Sequence, residues 1–241
     1  MRVYATVEVG VTVASVRYLI RASELRAPPA AVPTEHLPAL RALVGWVREY
    51  LCRAHPELGR AGSVCPFTGP ALERDTVWLS ACATPRPDDA ALAATARELC
   101  AWFVDVAPRS GHAAQYKTAL IIVPDLAEPE AAERLERVQH ALLGTFVAEG
   151  LMLGQFYPSC PAGGLWNRDF RPLRSPVPLL GMRHMVATDL PFLVNDAANL
   201  AHYLRRFGDR IPAPLAPLAE TARVRHGLGP PPAKAEKGSL G

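Results

Sequence analysis

The sequence predicts an α/β fold, with an α+β arrangement as the alternative, on three observations. From Thr76 onward, segments of strand character alternate with segments of helical character. The run Tyr116 to Val123 is apolar apart from Lys117 and Thr118, as expected for a strand covered on both faces. Two later stretches carry apolar residues at helical spacing, which suits helices packed on a sheet. Together these predict a central sheet of about four strands with crossover helices, and N-terminal and C-terminal helices packed on it.

Residues 1–33 read as an extension with a Pro-rich linker, marked by Pro28, Pro29 and Pro33. Alternation of Val3, Ala5, Val7, Val9, Val11 and Val13 resembles a strand, or else a stretch ahead of the true domain. Arg2, Glu8 and Arg17 interrupt this apolar segment, so it does not read as an export signal. A single domain is expected over residues 34–211. Its first helix places Leu37, Leu40, Leu43, Val44, Val47 and Leu51 on one side, with Thr34 as N-cap.

Residues 76–83 form the first expected core strand. Asp88 or Asp89 then caps a helix to about Val104, with Leu92, Ala96, Leu99 and Phe103 as its apolar stripe. After residues 116–123, Pro129 opens a helix carrying Leu135, Val138, Leu142 and Phe146, which stops near Gly150. Residues 151–157 and 179–187 give two more strands, and Asp189 with Pro191 starts a last helix through Phe207. Residues 212–241 are rich in Pro, Ala and Gly and read as a largely disordered tail.

Composition narrows the function classes. In 241 residues, 49% are hydrophobic and 20% charged, the balance of an ordinary globular chain. A net charge of +3 with scattered basic residues argues against nucleic acid and membrane as partners and leaves a small-molecule substrate or a partner protein. Five cysteines at irregular spacing suit reduced thiols in a cytoplasm. Neither GxGxxG nor GxxxxGK[ST] occurs, nor do the paired motifs of a structural zinc.

Two segments combine Gly, Pro, Arg and aromatic residues without periodicity: 55–67 and 155–178. Irregular loops on a rigid sheet are a common location for binding groups, though packed Ω-loops look the same in sequence. Cys65 and Cys160 each precede a proline, which turns the chain away and lets a thiol face a cofactor; burial in the core is the plainer reading. His55, His112 and His184 are the histidines available as ligands or bases. Arg60, Arg168, Arg171, Arg174 and Arg183 present guanidinium forks suited to carboxylate or phosphate, or else to a solvated face or ion pairs with Asp169 and Glu57. Phe67, Phe156, Tyr157 and Trp166, with Asn167, are the candidate cavity walls.

Four blocks then stand in order: Gly59-Arg60 with Val64-Cys65-Pro66-Phe67; Gly150 through Pro158; Phe170-Arg171-Pro172-Leu173-Arg174-Ser175-Pro176-Val177-Pro178; and Arg183-His184-Met185-Val186 leading to Asp189-Leu190-Pro191-Phe192-Leu193. They resemble an uncharacterised bacterial domain family of unknown function encoded near natural-product biosynthesis genes, over about Leu37 to Phe207. That family label implies no reaction. The Cys65-Pro66-Phe67 block, after an N-terminal helix and ahead of an α/β core, is also similar to haem-dependent enzymes that hydroxylate guanidine nitrogen. This likeness implies haem, dioxygen or peroxide chemistry, and a small amine or amino-acid substrate.

The expectation drawn from both is an oxidative tailoring enzyme of secondary metabolism with its site between the two loops. Cys65, His55 and His184 compete as iron ligand or catalytic group, and Arg60, Arg171 and Arg174 hold carboxylates. The alternatives are a non-catalytic binding or carrier-interacting module, and a cysteine-dependent transferase or hydrolase.

Overall fold

A computed structural model describes residues 14–229. The chain divides into two compact units, Met1–Leu143 with Met152–His184, and Gly144–Leu151 with Met185–Gly241. The valine alternation ending at Val13 and the last twelve residues of the tail lie outside the described residues.

The sheet has five strands in the order β1-β2-β3-β5-β4. They are β1 Val16–Arg21, β2 Val77–Cys82, β3 Thr118–Ile122, β4 Leu151–Phe156 and β5 Leu179–His184. The strand beyond the four expected from sequence is β1, which lies inside residues 1–33 and pairs antiparallel with β2. Tyr18, Leu19 and Ile20 are buried in it, and Leu25 and Val32 are buried beyond it.

Helix α1 is Leu37–Trp46, α2 is Thr68–Glu73, α3 is Asp89–Asp105, α4 is Gly111–Ala114 and α5 is Glu130–Ala148. The β2-α3-β3 unit is a parallel crossover, because β2 and β3 run in the same direction. The next step departs from the all-crossover expectation: β5 inserts beside β3 and runs antiparallel to it, which leaves β4 at the edge. Local sequence has no means of specifying this insertion, since the long 157–178 connection alone returns the chain.

Period-two alternation divides the sheet's side chains between two faces. On one face Tyr18, Ile20, Val77, Leu79, Ala81, Leu120, Ile122 and Leu179 join one core with Leu40, Leu43, Val44, Val47 and Leu51. The opposite face meets α3, where Trp78 stands edge-on to Trp102 at 5.0 Å. The predicted stripe Leu92, Ala96, Leu99 and Phe103 is fully buried, each Leu or Phe contributing about 1.5–3 kcal/mol. Asp88 is the N-cap of α3, its carboxylate accepting the Ala91 N–H at 2.7 Å.

In the second unit the last helix starts later than expected. Residues Ala187–Phe192 form a 3-10 turn, and α6 Ala197–Phe207 follows, capped by Asp196 through the Asn199 N–H. Asp189 instead accepts from the Val186 N–H, closing the 3-10 turn. Within the stretch read as tail lies α7, Ala216–Arg225, with Pro217 in its first turn. Its buried residues, Ala219 and Ala222, are too small to show as a hydrophobic stripe. No helix among the described residues is long and apolar enough to cross a membrane.

Candidate functional site

Helix α1 does not end in an ordinary cap. Val47–Leu51 continues it as a π-helical turn, with the Cys52 N–H reaching back to the Val47 carbonyl at 3.0 Å. Such widened turns recur at functional sites because they re-aim side chains. Here Trp46 and Tyr50, four residues apart, stack at 5.7 Å beside the apolar stripe that α1 buries.

The chain then enters the 55–67 loop, pinned at its base by the Val64 N–H to Arg53 and the Cys65 N–H to Leu51, both 2.8 Å. His55 Nδ1 accepts the Glu57 N–H at 3.2 Å. Neutral His55 therefore carries its proton on Nε2. The 157–178 loop arrives from the other side. Asn167 ties the two together, donating from Nδ2 to the Glu57 carbonyl at 2.8 Å while its Oδ1 accepts the Asp169 N–H at 3.0 Å.

Gly59 makes this close approach feasible. Its φ of +79° is a glycine conformation, and a Cβ there would lie 3.0 Å from Trp166 backbone and Cβ atoms. The loop tip is equally tight, for a Cβ on Gly163 would come within 2.6 Å of the Arg168 carbonyl.

Where the loops meet, a cleft of about 290 Å³ is lined by Trp46, Tyr50, His55, Glu57, Asp169, Phe170, Arg171 and Arg174. Its apolar wall is a chain of rings: Tyr50 lies 6.1 Å from Phe170 and 6.0 Å from His55, and His55 lies 4.8 Å from Phe170. Phe170 is buried and belongs to the core, so this wall is fixed to the sheet. Arg171 is braced by the carbonyls of Arg168 and Phe170, and Arg174 donates from Nε to the Cys160 carbonyl at 3.3 Å. Burial pushes the Tyr50 phenol up, with Arg174 pulling it down and Glu57 pushing it up, so charges of both signs act on one ring.

Among the residues expected from sequence, the cleft gathers His55, Arg171 and Arg174. Phe156 stands just behind it, edge-on to Trp46 at 6.1 Å, and Asn167 braces the loops. Cys65 packs against the core below the loop, and its carbonyl accepts from Ser63 and Thr68 hydroxyls. Arg60 folds onto the carbonyls of its own loop, Ala61 and Val64. Phe67 sits near Tyr116, with Arg183 5.2 Å over its ring. Tyr157 donates to Glu136 of α5, and Trp166 is 66% exposed. His184 is buried against Phe103 on the α3 face, the opposite side of the sheet from His55. Cys160 is buried, and burial pushes its thiol up, away from nucleophilic reactivity.

Cys65, His55 and His184 thus do not share a cavity, and only His55 reaches the cleft. At about 290 Å³ the cleft is at the lower limit of the roughly 300–1,000 Å³ usual for drug-sized ligands. Trp46, Tyr50 and Phe170 were not expected as site residues from sequence, and Glu57 and Asp169 were expected only as ion-pair partners of the arginines. The available signal was Trp46 and Tyr50 spaced four apart at the rim of the first helical stripe, just ahead of the irregular loop.

Residues 40–217 match the family described as Domain of unknown function (DUF6875). No curated protein matches, and no solved structure matches.

Proposed function

For this chain, which belongs to the DUF6875 family, we propose that the cleft binds a small organic anion carrying a planar or apolar group. The observation that carries this reading is that Arg171 and Arg174 line the same cleft as the ring wall of Trp46, Tyr50, His55 and Phe170. Guanidinium forks favour carboxylate or phosphate, and ring faces favour flat apolar groups. Backbone bracing of both arginines lowers the entropy cost of ordering them on a ligand.

Titration calorimetry with small aromatic carboxylates and their isosteric primary amides tests the reading. The acids should bind and the amides should bind at least tenfold more weakly, on the scale of one lost charge-assisted hydrogen bond of about 1.5–3 kcal/mol. Arg171→Gln with Arg174→Gln should erase the difference. Equal binding of acid and amide would overturn the anion site.

A binding role in natural-product biosynthesis suits this geometry better than haem-dependent oxidative tailoring, which would rest on His55 alone. An absorption spectrum of protein grown with haem precursor separates the two. A stoichiometric Soret band that His55→Ala removes would restore the oxidative reading, and a colourless folded protein leaves the binding site.

A further inference from the structure

Arg171 and Arg174 are not the only charges on the cleft. Glu57 and Asp169 line it too, and both are exposed. Among the described residues, none of these four forms an ion pair, although two cations and two anions border one opening. The backbone explains the separation. Glu57 is held by its own N–H on His55 and its carbonyl under Asn167, and Asp169 by its N–H on the Asn167 side chain. These bonds fix both main chains and leave both carboxylates unbound by them. The arginines, in turn, are drawn toward the carbonyls of Arg168, Phe170 and Cys160. Two opposite charge pairs are therefore kept apart around a ring-walled opening.

An anion alone would satisfy half of this arrangement and would pass two carboxylates of its own sign. A ligand with an anionic and a cationic group close together satisfies both. Resting on the small-anion reading above, we infer that the cleft recognises a zwitterion, a free amino acid with a planar or apolar side chain. Its carboxylate meets Arg171 and Arg174, its ammonium faces Glu57 and Asp169, and its side chain lies along Tyr50 and Phe170. The acidic pair sets specificity. Its groups are exposed, so screening limits the preference to about tenfold.

Three near-isosteric probes separate the possibilities: phenylalanine, 3-phenylpropionate, which lacks the ammonium, and 2-phenylethylamine, which lacks the carboxylate. An aliphatic trio built on leucine runs in parallel. Titration calorimetry at low salt should give the amino acid about tenfold tighter binding than either truncated analogue. Glu57→Gln with Asp169→Asn should remove the advantage over phenylpropionate and leave phenylpropionate binding unchanged or improved. Because only side-chain atoms outside the loop's hydrogen bonds change, the double variant keeps the fold, which an unchanged melting temperature verifies.

If the carboxylate binds as well as the amino acid, the zwitterion inference falls and the anion site stands. If the amine alone binds as tightly, the anion reading falls with it. No binding by any probe overturns both.

Discussion

Two regions of the first unit carry nearly the same residue types and use them in opposite ways. At the N-terminal ends of α3 and α5, charges are closed on one another. Arg86 pairs with Glu130 at 2.7 Å, Arg134 bridges Asp89 and Glu130 at 3.2 Å each, and Arg137 holds Asp89 at 2.7 Å and Glu133 at 3.8 Å. At the cleft, Glu57, Asp169, Arg171 and Arg174 surround a cavity without forming an ion pair among the described residues. Apart from Arg86, which lies just ahead of α3, the first set sits on two regular helices whose spacing brings opposite charges together. The second sits on irregular loops whose backbone bonds hold opposite charges apart. A closed network stabilises the fold, whereas open charges beside an aromatic wall are available to a ligand. Counting Arg and Glu in a segment cannot distinguish the two.

The largest expected effect comes from a charge treated in a third way. Lys117 is fully buried and donates to the Phe103 and Val106 carbonyls at 2.5 and 2.6 Å, at the C-terminal end of α3. Burial pulls its pKa down from 10.5 to about 8. The unfolded chain therefore binds the extra proton between those values, and the penalty for enclosing the charge is relieved as pH rises through that window. Relative to Lys117→Met, the native protein should gain about 2–3 kcal/mol between pH 8 and 10.5 in urea unfolding. A flat difference would mean that Lys117 is solvated in solution.

Next in size is the joint that keeps the cleft open. Gly59→Ala adds a Cβ against Trp166 at a positive φ and should cost about 2 kcal/mol and weaken ligand binding. Gly45→Ala is the control. With nothing within 4 Å of its Cβ, it should stabilise helix α1 by about 0.5–1 kcal/mol. A tolerated Gly59→Ala would show that the loops pack less closely than described.

Breaking the closed network should cost less. Arg134→Ala removes two ion pairs and a bond to the Pro87 carbonyl, and about 1 kcal/mol is expected in thermal unfolding. The hydrogen bond from Arg137 holds Asp89 below its usual 3.8. The contribution of Asp89 is thus present above that pH and fades as pH falls through its lower folded value. Asp89→Asn should accordingly change stability near neutral pH and match the native protein in strong acid. The smallest expected effect lies at the cleft: Arg171→Gln with Arg174→Gln should leave stability within about 0.5 kcal/mol while removing anion binding. A large loss of stability there would make the cleft another closed network and end the comparison.

Much of the framework was legible because it is periodic. Strands β2 to β5, helices α3 and α5 and their buried stripes follow from apolar spacing, and Asp88 was one of two caps in view. Strand β1 was missed because its apolar residues merge with the valine-rich run before it and are followed by prolines. Helix α7 was missed because small alanines bury without forming a visible stripe. At the site, the two irregular loops pointed to the cleft, and His55, Arg171 and Arg174 reach it. Trp46 and Tyr50 come from a helix that looked complete, and the π-turn that aims them has no sequence signature of its own.

By itself the sequence determined an α/β framework whose irregular segments are confined to particular loops, because hydrophobic burial acts on every residue and leaves its period in the chain. Tertiary structure alone decided that β5 lies between β3 and β4, that His55 and His184 stand on opposite faces of the sheet, and which arginines face a cavity. Those outcomes depend on where a long loop returns and on single hydrogen bonds such as Asn167 to Glu57, between residues 110 positions apart. Distance in the chain hides such contacts from any local pattern, and they decide whether a charge is closed or open to a ligand.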